Sequence, residues 1–152
     1  MYNIFYIVHI IGVVLWIGSF ITLGVVLRAF TKVDLPKESR KALFSRIQGW
    51  VTYGIIPSAI LVLISGLYMI MQFERSGLPF YLSFMEQAGS LIILLTIIFV
   101  TLISSKLTKK VKGMPLEKEQ TLQVSTKRYA NYLLTSAVLG TVVIIVVGLR
   151  IV

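Results

Sequence analysis

Residues 4–27 read Ile4-Phe-Tyr-Ile-Val-His-Ile-Ile-Gly-Val-Val-Leu-Trp-Ile-Gly-Ser-Phe-Ile-Thr-Leu-Gly-Val-Val-Leu27, a stretch without a single Asp, Glu, Lys or Arg. A helix over this stretch rises 1.5 Å per residue, about 36 Å in all, and so exceeds a hydrocarbon core of about 30 Å. In lipid every backbone N–H and C=O must be paired within the segment, which leaves the α-helix as the conformation for such a run. Three more apolar stretches of similar length follow, over residues 51–73, 84–103 and 129–149. The expected fold is therefore an all-α, integral membrane four-helix bundle, a single membrane domain over residues 1–152.

Composition agrees. The chain is 57% hydrophobic and 14% charged, with mean hydropathy +0.89, outside the range of ordinary soluble domains. The absence of cysteine excludes disulfides, iron–sulfur clusters, thiolate metal sites and a cysteine nucleophile. The formal charge of +9 calls for no nucleic acid, because the basic residues follow the helix order. Arg28, Lys32, Lys37, Arg40, Lys41 and Arg46 lie after the first apolar run. Lys106, Lys109, Lys110, Lys112, Lys118, Lys127 and Arg128 lie after the third. The positive-inside rule then places both basic loops in the cytoplasm, and both termini and the short loop 74–81 outside. The expected location is the cell membrane, in multi-pass form, with anionic head groups of the lipid bilayer as partners of the basic loops.

Before the first run, Met1-Tyr2-Asn3 carries no positive charge, and the run is longer than a signal-peptide core, so it is expected to stay as the first span. The segment 36–47 is amphipathic and opens on Pro36, which predicts a short interfacial helix leading into the second span. Pro57 falls inside that span and removes one backbone bond.

His9 is the only histidine, and at helical rise it lies about 8 Å below the outer boundary. Ionisable groups inside spanning segments are costly and mark function by default, and imidazole is the commonest biological metal ligand. Tyr6, His9, Val13 and Trp16 recur at helical spacing, with Gly12 one turn from His9 leaving room for a flat group or for a close helix. Met69, Met85 and Glu86 are expected near the same depth. Thioethers suit Cu(I), although methionine in an apolar helix usually serves packing. Gly140 and Gly148, with Ser136 and Ala137, read as a helix contact or the seam of a homodimer. Trp50 reads as an aromatic-belt residue.

His9, Trp16 and Gly18 form H-x6-W-x-G in the first span, and Ser65-Gly-Leu-Tyr68 ends the second. In this and in its layout the chain resembles the superfamily of small helical membrane proteins that includes CopD-type copper-resistance domains and HemJ-type protoporphyrinogen oxidases. The HemJ branch implies haem b held by the first-span histidine, here His9. It also requires a lysine near the outer start of a later span, and the corresponding stretch Ser83-Phe-Met-Glu-Gln-Ala88 has none, so the resemblance stops short of the oxidase activity. The CopD branch implies copper movement across the membrane.

Three readings follow. The first is a haem b protein with His9 as axial ligand among Tyr6, Gly12 and Trp16, the second axial position being Met69, open, or the histidine of a second subunit. Its role is electron transfer or small-molecule reactivity, with a membrane redox partner. The second is copper binding or transport through His9, Met69, Met85 and Glu86. The third is an accessory membrane subunit without cofactor, in which His9 bonds across helices.

Overall fold

A computed structural model of the chain describes residues 2–33, 36–74, 77–113 and 122–150, apart from the side chains of Lys37 and Arg40. Lys118, Arg75 and part of the loop 74–81 lie outside the described residues. Helix α1 spans Tyr2–Phe30. Helix α2 (Lys37–Trp50) runs through a π turn (Val51–Ile55) into α3 (Ile56–Ile70). The short α4 (Phe80–Phe84) runs through a second π turn (Met85–Gly89) into α5 (Ser90–Val111), and α6 covers Leu122–Gly148. The described residues contain no strand, and four continuous helices are long and apolar enough to cross a membrane.

α1 packs on α3 and on α6, and α5 closes the square against the same two. Each long helix therefore touches its neighbours in sequence, the up-down-up-down order that short connections impose. The core is a column that includes Trp16, Phe20, Leu27, Ile55, Tyr129 and Leu133. Facing outward are Ile4, Ile7, Ile10, Ile11 and Val14 of α1 and Leu91, Leu94, Leu95 and Ile98 of α5. A surface this apolar suits hydrocarbon and is far larger than the patches that monomers expose to water.

Between helices that share an apolar surrounding, close approach takes over from hydrophobic burial as the source of cohesion. Glycine provides it at two levels of α1. A Cβ on Gly24 would stand 2.6 Å from Leu134 Cγ, and one on Gly12 would stand 2.7 Å from Val62 Cγ2. Two buried hydroxyls are satisfied locally: Ser58 donates to the Gly54 carbonyl at 2.7 Å and Thr126 to the Leu122 carbonyl at 2.8 Å, the usual pairing of Ser and Thr with the preceding turn.

The amphipathic segment forms a helix that leads into the second span, as expected, and it does so without a break: it continues into α3 and buries Phe44 and Ile47, with α5 packed against it. The physical reason is the π turn. An amide at position 57 would reach the Tyr53 carbonyl, but Pro57 has none. The widened turn, in which the Ile56 amide reaches back to the Val51 carbonyl, absorbs the mismatch without breaking the helix. The third helix likewise runs past its apolar stretch, because nothing between Ile103 and Val111 stops a helix, and the fourth begins ahead of its own, at Leu122. α5 ends where Gly113 takes φ +75°, a left-handed conformation that glycine adopts freely, and its amide bonds the Lys110 carbonyl at 3.1 Å.

The packed α2 creates a polar contact near the basic end of the bundle. Gln48 Oε1 accepts from Ser104 and, at 3.0 Å, from Thr108, beside the buried Tyr129. Gln48→Leu keeps the volume and removes the acceptor that joins α2 to α5. It is expected to cost about 1 kcal/mol, read as a lower midpoint in denaturant titration of the micelle-bound protein.

Candidate functional site

His9 lies two turns into α1 on the side that meets α3. Its Nδ1 is 3.0 Å from the Val62 carbonyl oxygen and 3.1 Å from Ser65 Oγ. A carbonyl oxygen only accepts, so the bond requires the proton on Nδ1 and leaves the lone pair of a neutral ring on Nε2. Ser65 is itself oriented, donating to the Leu61 carbonyl at 2.5 Å. Among the described residues no hydrogen bond engages Nε2.

Gly66 completes the seat of the ring. A Cβ there would stand 3.1 Å from His9 Cε1 and 3.4 Å from Nδ1, so the imidazole lies against bare backbone. Further toward the start of α1, Phe5 stacks on Tyr68 with ring centroids 3.9 Å apart, and Tyr2 meets Phe73 edge-on at 6.5 Å. These pairs set the register of α1 on α3 and so hold His9 opposite Val62, Ser65 and Gly66.

The residues that share helical spacing with His9 do not all converge on it. Gly12 faces α3, where the Val62 side chain fills the space beside it. Trp16 is buried against α6, its ring 3.4 Å from the place a Cβ on Gly140 would take, and makes an edge contact with Phe20 at 5.8 Å. Its indole N–H has no hydrogen-bond partner among the described residues. Tyr6 is exposed, and Met69 is buried on α3 one turn beyond Ser65. Met85 and Glu86 are half-buried in the second π turn, where the Glu86 carbonyl accepts from Ser90. Among the described residues no three His, Cys, Asp or Glu side chains gather to hold a metal ion.

Gly140 serves a contact inside the chain, against Trp16 and Ile17, whereas a Cβ on Gly148 would meet nothing within 4 Å among the described residues. Trp50 is exposed at its ring and donates to Ser19 Oγ at 3.3 Å, which satisfies its indole within the bundle.

The Val62 carbonyl and Gly66 escape a search by residue type, since one is backbone and the other has no side chain. The available signal was the small pair Ser65-Gly66, which an antiparallel hairpin of the first two spans brings to the depth of His9. Comparison of the chain with family models, with curated proteins and with solved structures gave no match.

Proposed function

We propose that this chain is a multi-pass protein of the cell membrane, with its basic loops cytoplasmic, that binds haem b through Nε2 of His9 at the outer end of the bundle. The observation that carries the reading is the Nδ1 contact with the Val62 carbonyl at 3.0 Å. Metal-ligating histidines characteristically donate the other ring N–H to a carbonyl or carboxylate, which holds the tautomer and raises ligand basicity. His9 has that arrangement before any metal is considered. A bound haem would supply one-electron exchange at iron, or reactivity at an open sixth position.

The residues fit one axial bond. They do not enclose a porphyrin beside Gly12, since Val62 occupies that space, and Trp16 belongs to the α1–α6 contact. The work of the chain at this site is to hold the imidazole: Val62 keeps its proton, Ser65 supports the same nitrogen, and Gly66 lets the ring lie flat. Copper binding through His9, Met69, Met85 and Glu86 would draw on the same His9 contact, but Met69 is buried and Met85 and Glu86 lie in the second π turn, with no observation that brings them to His9.

The test is a visible absorption spectrum of the detergent-purified protein, produced with ample haem, as isolated and after dithionite. A Soret band that shifts on reduction supports the reading, and sharp low-spin bands would identify a six-coordinate iron with an electron-transfer role. A flat spectrum overturns it and leaves His9 as a cross-helix tie.

A further inference from the structure

A groove at the opposite end of the bundle takes no part in the His9 site. It lies between the last turns of α1 and the first turns of α6 and encloses about 760 Å³. Arg28, Lys32 and Lys127 line it, three cations from α1, the turn that follows it and α6. Arg28 is braced, its Nε donating to Asn131 Oδ1 at 3.2 Å, which engages one of the five guanidinium donors. Gln123 ties the walls together by donating to the Thr31 carbonyl at 2.9 Å.

Val25 and Leu134 also line the groove. Each is displaced from the cations toward the middle of its helix and gives the groove an apolar inner wall, while Ala29 and Val124 add apolar lining at the level of the cations. Of the acidic residues the structure describes, Glu38, Glu74 and Glu86, none lines the groove. The ion pair found among the described residues, Lys41 with Glu38, is elsewhere.

We infer that this groove binds an anionic phospholipid, with the phosphate against Arg28, Lys32 and Lys127 and an acyl chain along Val25 and Leu134. A free anion would use the cations and leave the apolar wall idle. A phospholipid engages both the cations and the apolar inner wall, and basic pockets between spanning helices are suited to anionic head groups. The inference rests on the membrane-spanning part of the proposed function and is independent of haem.

The experiment is native mass spectrometry of the full chain in detergent, titrated separately with phosphatidylglycerol, phosphatidylcholine and inorganic phosphate. Phosphatidylglycerol is expected to bind in preference to both. R28Q/K127Q should weaken that binding by about 30-fold, from the usual attraction per basic residue at an anionic surface. K32Q/K127Q disturbs none of the hydrogen bonds above and should weaken it comparably, with helical content preserved. K106Q/K109Q, which removes two basic residues of α5 outside the groove, should leave it unchanged.

Equal binding of phosphatidylcholine, equal loss in K106Q/K109Q, or phosphate binding as tight as the lipid would each overturn the inference. A chain that partitions into the aqueous phase on detergent phase separation would overturn the membrane reading along with it. A colourless protein that selects phosphatidylglycerol would refute haem alone.

Discussion

Replacing His9 with alanine is expected to abolish the Soret absorbance of the purified protein while leaving its helical content intact. His9 is the only histidine, so no second imidazole can take over the axial bond. The structural loss is small by comparison. The ring contributes the contacts to the Val62 carbonyl and Ser65, and Ser65 keeps its bond to the Leu61 carbonyl without it. The stability cost is therefore about 1 kcal/mol, against a complete loss of colour. Ser65→Ala separates the two effects: it spares the carbonyl contact, and the Soret band should persist. A Soret band of full height in His9→Ala would place the axial ligand elsewhere and end the proposal.

The largest stability effect is expected at Gly24. A leucine there would drive its Cβ to 2.6 Å from Leu134 Cγ and 2.8 Å from Leu134 Cδ2, with the Ala130 carbonyl oxygen at 3.3 Å. The leucine could swing aside, but the backbone carbonyl cannot, so α1 must separate from α6. Overpacking of this kind costs about 3 kcal/mol. Gly18→Leu provides the comparison, because among the described residues nothing stands within 4 Å of a Cβ at that position of the same helix. Thermal or denaturant unfolding in micelles should show a large loss for Gly24→Leu and none for Gly18→Leu. Pairing Gly24→Ala with Leu134→Ala should recover part of what Gly24→Ala loses. Equal effects at Gly18 and Gly24 would mean that α1 and α6 do not meet at this seam.

The four long helices were legible in residues 4–27 and the three similar stretches, because length and apolarity alone decide whether a segment can cross lipid with its backbone paired. His9 stood out for the same reason, as an ionisable group where ionisable groups are costly. The ends of the helices were less legible. Hydropathy marks where a helix leaves hydrocarbon, whereas the helix itself runs on until a residue such as Gly113 stops it. Hence the amphipathic segment before Trp50 proved continuous with the second span, and a π turn accommodated Pro57.

Which residues face one another was decided by the tertiary structure. Helical spacing grouped Tyr6, His9, Gly12 and Trp16, but α1 is flanked by two helices, and residues on one broad face divide between them. His9 and Gly12 meet α3, while Trp16 turns into the room left by Gly140 on α6. The partner that sets the His9 tautomer is a backbone carbonyl, which every residue possesses and no sequence pattern marks. The phospholipid groove arises in the same way: its cations were visible as loop charge, but their arrangement above Val25 and Leu134 depends on how α1 and α6 pack. Length and apolarity are properties of single segments and can be read one at a time; a site is a relation between segments, and it exists only once close packing has set their register.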